Sequence, residues 1–250
     1  MLGNGEKQSG VLVKRMDILW NRRRFLSTTI FFSFLWSLPS KLWAYFVERL
    51  GVRTVEKENF YFDAGTHSIV WKETSKREPY ALEIRGLIGN QLRISYQELL
   101  DLPQTEQASD FHCVEGWSVK DIQWSGVRFG EIVVLAKPLP QAKYVLFHAL
   151  GETGSEPQGQ RHYVECLPLA HLLDSRKECL LALGMNRDPL PHDHGAPLRV
   201  VAPYDLGYKS IKFVYRIDFV DKEYPGWWTL ANPVYPVDAP VPSSRLRKKS

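Results

Sequence analysis

At 250 residues the chain can bury a sizeable core without disulfide support. Its three cysteines, Cys113, Cys166 and Cys179, leave at least one thiol unpaired and form no C-x-x-C pair of the kind structural zinc or thioredoxin-like sites use. The net charge of +4 is unevenly placed: residues 1–44 hold seven Lys and Arg against two Asp and Glu, +5, so the remainder stands at −1. A body that close to neutral excludes a broad nucleic-acid surface, which needs clustered Lys and Arg facing phosphate.

Residues 1–44 carry a basic start at Arg22–Arg24, an apolar run from Phe25 to Leu38 and a polar break at Ser40-Lys41, the layout of a targeting segment. Arg22-Arg23, one residue, then Phe25-Leu26 resembles the twin-arginine export signal, whose receptor handles folded proteins. The expected location is the periplasm or the outer face of the cytoplasmic membrane. Leu42-Trp43-Ala44 lacks the small residue wanted two before a cleavage point, so retention as an anchor is an equal expectation. A buried or amphipathic helix is the plain alternative, because the run is shorter than the ~20 apolar residues of a usual spanning helix. Residues 45–58 read as a linker, 59–243 as one folded domain and 244–250 as a basic, solvated tail.

Within the domain the pattern is of many short strands and few helices. "YALEIRGL", "KYVLFHAL", "RHYVECL" and "PLRVVAP" are strand candidates set apart by Gly, Pro and Asn. "ISYQELLDL" and "FGEIVVLA" read as helices, the first with Ser95 and Glu98 placed for a capping box. "QWSGVRF" (123–129) reads as a turn leading into the second helix. In "SIKFVYRIDFV", Ile211, Phe213, Tyr215, Ile217 and Phe219 alternate with their neighbours, the period of a strand with unequal faces. The Pro- and aromatic-rich stretch 225–243 is expected to be ordered coil lying over the body. The predicted class is mixed α+β, strand-rich, in a single domain.

Chemistry concentrates in two stretches. Cys113 sits in "FHCVEGWSV", and alone a cysteine beside aromatics is more often inert packing than a ligand. Residues 186–214 combine His192, His194, Arg199, Lys209 and Lys212 with glycines, a set suited to holding a phosphate by charge-assisted hydrogen bonds. His192 and His194, two apart with no third placed ligand, are weak evidence for a small-metal site. Cys166 and Cys179 read as core. His112 and Cys113 make a poor protease-like pair, since adjacent side chains of an extended chain point apart.

"CVEGWSVKDIQWSGVRFGEIVVLA", "HGAPLRVVAPYDLGYKSIKFV" and the Trp/Asn/Pro-rich ending together resemble the sulfite oxidase-type molybdopterin-dependent oxidoreductases, most of all the catalytic subunits of periplasmic protein-methionine-sulfoxide reductases, over residues 55–243. The resemblance implies a mononuclear molybdenum held by molybdopterin, with Cys113, of the C-x-x-x-W-S motif, as the thiolate ligand and catalytic residue. It implies pterin contacts at His194 and Arg199 of the H/N-G-x-P-x-R motif and at Ser210, Ile211 and Lys212, with Lys209 adding charge. Asn59, Phe60 and Tyr61 would lie near the pterin. His148-Ala149 stand where the reductases have Glu-Thr, so His148 takes a cofactor-facing position and the threonine contact is lost. The loop "GETGSEPQGQRHY" is also shorter than in those relatives.

The implied activity is reduction of a sulfoxide such as methionine sulfoxide, free or within a protein. Electrons would come from a separate haem-containing membrane subunit, because the chain has no C-x-x-C-H haem motif. Sulfite oxidation is the alternative activity, disfavoured because no arginine cluster for the dianion is assignable. A non-catalytic binding module keeping the fold is the alternative class. No dimerising immunoglobulin-like domain is apparent, which favours a monomer or a heteromer.

Overall fold

The computed structural model describes residues 55–247. The expected targeting segment, the linker up to residue 54 and the last three residues lie outside the described residues. Among those described, no helix is long and apolar enough to cross a membrane.

The domain opens with β1 (Phe60–Asp63), β2 (Ser68–Trp71) and β3 (Arg77–Pro79), an antiparallel three-stranded sheet. Then come β4 (Ala81–Gly86), β5 (Leu92–Ser95) and helix α1 (Tyr96–Asp101). The expected capping box starts α1: the Glu98 amide donates to Ser95 Oγ at 3.2 Å and the Ser95 amide to Glu98 Oε2 at 2.7 Å. Such a cap is worth about 1 kcal/mol.

Next is a long hairpin, β6 (Gln104–His112) and β7 (Ser118–Arg128), which runs into α2 (Phe129–Ala136). "QWSGVRF" is therefore the end of a strand, not a turn. Gly126 is what misleads: β10 (Leu180–Met185) packs so closely that a Cβ there would strike the Leu181 carbonyl, so the glycine permits strand pairing instead of breaking it. α2 buries Phe129, Ile132 and Ala136 and stops at Lys137, which adopts a left-handed conformation with its amide on the Val133 carbonyl.

β8 (Tyr144–Ala149), β9 (Val164–Pro168) and α3 (Leu169–Leu173) precede β10, which is followed by β11 (Asp188–Pro189), β12 (Arg199–Val201), β13 (Val214–Val220) and α4 (Trp227–Ala231). Two five-stranded sheets result. One is ordered β5-β4-β13-β8-β9, with only the β4–β13 pair parallel; the other is β11-β10-β7-β6, with β12 also on β10.

The main core joins the first of these sheets to α1 and α2 through Leu82, Ile84, Leu99, Ile132, Phe147, Ile217 and Phe219. A second cluster, with Val119, Trp124, Leu180, Met185 and Val201, belongs to the β7/β10 sheet. The alternation expected from Ile211 to Phe219 fails at its start. Phe213 has φ 57°, and a bulge separates Val214 from Arg216, so β13 begins at Val214 with Val214, Ile217 and Phe219 inward. The 225–243 stretch is mostly coil as expected, apart from α4.

Candidate functional site

Cys113 is the first residue of the five-residue loop joining β6 to β7. Its amide donates to the Trp117 carbonyl at 2.9 Å and its own carbonyl accepts from Gly116 at 3.2 Å. Gly116, at φ 98°, supplies the left-handed step that closes the turn. Beneath the loop, His112 Nδ1 and Ser118 Oγ share a 2.8 Å hydrogen bond across the last strand pair. The Cys113 thiol is half-buried; burial raises its pKa, opposed by the Glu115 backbone amide and by the charge of Arg245. Burial lowers the pKa of His112, and Arg245 adds to that effect.

The second stretch folds around a buried guanidinium. Arg199, 6% exposed on β12, donates to the carbonyls of His194 (2.9 Å) and Ser210 (3.1 Å), and its guanidinium carbon lies 5.0 Å from the Trp124 ring centroid. Burial pulls its pKa down to about 10. Ser210 Oγ accepts the Ala202 amide, and the Ile211 carbonyl accepts that of Val200. Lys212, also buried, donates to the Asp193 carbonyl at 3.0 Å, and its pKa is lowered by burial. The Phe213 amide donates to the Gly195 carbonyl at 3.1 Å. Gly195, at φ 109°, lets the chain pass against Lys212, whose Cβ would be 2.8 Å from an added Cβ.

His194, Arg199, Ser210, Ile211 and Lys212 are thus brought together, with Ile211 contributing backbone while its side chain is in the core. Phe60 approaches them edge-on to His192 and Phe213, at 5.7 and 5.2 Å between ring centroids, with its side chain wholly buried in the core. Asn59 is adjacent, with its Oδ1 buried and lacking a hydrogen-bond partner in the structure; Tyr61 is exposed. Arg199 and His112 line one narrow cavity together with Trp124 and Ser210, which links the cysteine hairpin to the cationic cluster.

Two expected contributors point elsewhere. Lys209 Nζ is 2.8 Å from Glu165 in a fully buried pair and also reaches the Cys166 carbonyl. A cation so deep requires a counter-charge, and Glu165 supplies it. His148 is held by Asp218, at 2.8 Å, and by Arg216, at 3.1 Å, across the β8–β13 pair. Its side chain is committed to that trio instead of to the Arg199 cluster.

The sequence reading also missed Arg245 and Arg247, taken there as part of a solvated tail. Arg245 donates to the carbonyls of Cys113 (3.0 Å) and Trp117 (2.6 Å) and to Ser118 Oγ (3.0 Å). Arg247 makes two bonds to Asp110, at 2.9 and 2.7 Å, and reaches Asp121 at 2.7 Å. The only sequence signal was the complementary pair of aspartates flanking the cysteine loop.

The residues present fit a phosphate-bearing, thiolate-ligated cofactor. Arg199 and Lys212 are buried cations whose hydrogen bonds go to carbonyls, which leave their charge in place; Glu56 is a carboxylate whose field reaches both. A buried positive cluster favours an anion. The backbone at Gly195 leaves room where a side chain would intrude. Cys113 offers a soft sulfur on a tightly closed turn.

Comparison with known proteins agrees with this chemistry. A model of the oxidoreductase molybdopterin binding domain matches residues 68–228. The protein-methionine-sulfoxide reductase catalytic subunit MsrP of Gluconobacter oxydans is 36% identical over 163 residues, covering 62% of this chain and 51% of the relative. An uncharacterised oxidoreductase of Bacillus subtilis, YuiH, is 34% identical over 147 residues, 59% of this chain and 68% of the relative. The chain therefore spans about half the length of the first of these relatives. The crystal structure of the sulfane dehydrogenase SoxCD from Paracoccus pantotrophus matches with a TM-score of 0.50 at 22% identity, covering 57% of this chain and 38% of the other, a likeness of fold.

Proposed function

The chain belongs to the oxidoreductase molybdopterin-binding domain family, and from that premise we propose that it is a molybdopterin-dependent oxidoreductase acting on an oxidised sulfur compound, with a sulfoxide such as methionine sulfoxide as substrate. The observation that carries the reading is the buried Arg199–Lys212 cluster, joined to the Cys113 hairpin by the cavity that Arg199 and His112 share. The sulfoxide assignment is supported by the identity to a methionine sulfoxide reductase subunit.

In this reading Cys113 Sγ is the protein's ligand to molybdenum. Coordination would take the sulfur as thiolate, against the upward pull of burial on its pKa. Arg199 and Lys212 would hold the pterin phosphate, and fixed carbonyl contacts stop either side chain from swinging away. Asn59 Oδ1, buried and without a hydrogen-bond partner, would accept a hydrogen bond from the pterin. The bound cofactor supplies the two-electron chemistry at sulfur; the chain supplies binding, orientation and positive charge. Electrons come from a separate haem-bearing membrane subunit. The chain is exported by the twin-arginine route, directed by residues 1–44, to the periplasm or the outer face of the cytoplasmic membrane, with residues 59–243 as its catalytic domain.

The test is molybdenum analysis with pterin fluorescence on protein exported in a cofactor-competent host. About one metal per chain in the parent and little in Cys113→Ser is the expected outcome. A loaded parent should then reduce methionine sulfoxide. Well-folded parent without metal or pterin would overturn the cofactor assignment, and turnover of sulfite alone would overturn the substrate.

A further inference from the structure

Arg245 and Arg247 lie far along the chain from the Cys113 hairpin, yet most of what they hold belongs to it. Arg245 binds both ends of one short loop. One nitrogen donates to the carbonyl of Cys113 at its start; the other donates to the carbonyl of Trp117 at its end and to Ser118 Oγ at the first residue of β7. Ser118 Oγ in turn meets His112 Nδ1, so the guanidinium bridges the loop to the residue beneath it.

Arg247 fastens the same hairpin lower down. It takes both carboxylate oxygens of Asp110 on β6 and reaches Asp121 on β7, at the bulge that follows Ser109. Asp110 Oδ1 also accepts the Asp121 amide, so one carboxylate ties both strands and the strap together.

The loop has little else to define it. Val114 and Trp117 are exposed large side chains, Trp117 meeting the Phe111 ring at 5.9 Å between centroids, and Gly116 is open to solvent, so no fully buried side chain of the loop presses the turn into one shape. Its own backbone hydrogen bonds are the Cys113–Trp117 closure and the 3.2 Å Gly116–Cys113 bond, and one exposed side-chain bond joins them, Trp117 Nε1 donating to Glu115 Oε2 at 3.3 Å. A planar guanidinium fixed to two carbonyls, unlike a single ammonium, constrains both position and orientation.

We propose that residues 243–247 are a strap over the Cys113 loop and that Arg245 is a positioning residue, setting the backbone frame from which Cys113 Sγ is presented to the metal. This rests on Cys113 being the protein ligand, as argued above. Arg245 touches neither substrate nor cofactor in this role. It fixes where the sulfur points, and Arg247 anchors the strap to the strands that carry the loop.

The experiment compares full-length parent, Arg245→Ala, Arg245→Lys and Cys113→Ser. In metal-free protein, amide deuterium exchange of residues 113–118 should be roughly tenfold faster or more in Arg245→Ala, because charge-assisted bonds to the loop are lost, while exchange in β4 and β13 stays unchanged. Arg245→Lys should restore only part of the protection. In loaded protein, Arg245→Ala should keep most of its molybdenum but show a shifted or broadened EPR signature. Parent-like loop exchange and EPR in Arg245→Ala, with metal lost from Cys113→Ser, would overturn the strap and leave the ligand assignment standing. Full molybdenum with an unaltered EPR signature in Cys113→Ser would overturn the ligand assignment, and with it the positioning role.

Discussion

Two lysines three apart, Lys209 and Lys212, share a motif and read alike in the sequence, but the fold sends them to different partners. Lys212 joins the Arg199 cluster, whereas Lys209 closes on Glu165 in the interior. Nothing local to the motif announces this, since Glu165 is 44 residues away on β9. Removing one partner of a buried pair leaves an uncompensated charge, so Lys209→Ala should destabilise the domain by about 3–5 kcal/mol, measured by denaturant unfolding. Burial raises the Glu165 pKa from 4.5 to about 7 despite Lys209. A carboxylate whose folded pKa lies above its unfolded value contributes stability that is complete below about pH 4.5 and is lost as pH rises through about 7. Unfolding free energy should therefore fall over that window in the parent, and the slope should flatten in Glu165→Gln. The cluster itself was more legible: His194, Arg199, Ser210 and Lys212 were named from their motif, and His194 and Ser210 meet through the Arg199 guanidinium while Lys212 bonds to the neighbouring Asp193 carbonyl. His148 was not, because its trio with Arg216 and Asp218 depends on the β8–β13 register, which the sequence does not state.

Among the elements, those with local signals were readable. The capping box placed α1, and hydrophobic pattern placed β4, β8 and β12. The β6–β7 hairpin was not recognised, because Gly126 resembled a turn and its reason is a neighbouring strand. The start of β13 was misjudged because Phe213 occupies a left-handed conformation that a bulky residue seldom adopts, held between Phe60, His192 and the Gly195 carbonyl. The Gly195 turn shares this demand. Gly195→Ala would force a side chain into φ 109° and against Lys212. The expected result is a loss of about 1–3 kcal/mol in stability, and a lower molybdenum content than a distant substitution of equal cost, checked by melting and elemental analysis. The strap also has a salt signature. Arg247 is about half exposed, at 47%, so its ion pairs with Asp110 and Asp121 should weaken with ionic strength. Exchange across residues 110–121 should quicken between low and high salt, and less so in Arg247→Ala, where little remains to screen.

For the whole molecule, the strand-rich mixed class was legible from many short apolar runs set off by Gly and Pro, while sheet order was not, since it depends on long-range pairings such as β4 with β13. A ligand bound only by the folded state adds about 2.7 kcal/mol at a hundred times its Kd. Loaded protein should therefore melt roughly 5 °C or more above the cofactor-free form, by scanning calorimetry, and Arg199→Ala should narrow the gap. The three cysteines divide by environment: Cys166 and Cys179 are buried, the latter with its pKa pushed up to about 12, whereas Cys113 is half-exposed. A folded chain therefore shows an alkylating reagent a single accessible sulfur, the one assigned to the metal. Intact mass after brief alkylation becomes a tally of loading, with one adduct on each empty molecule and none on each filled one.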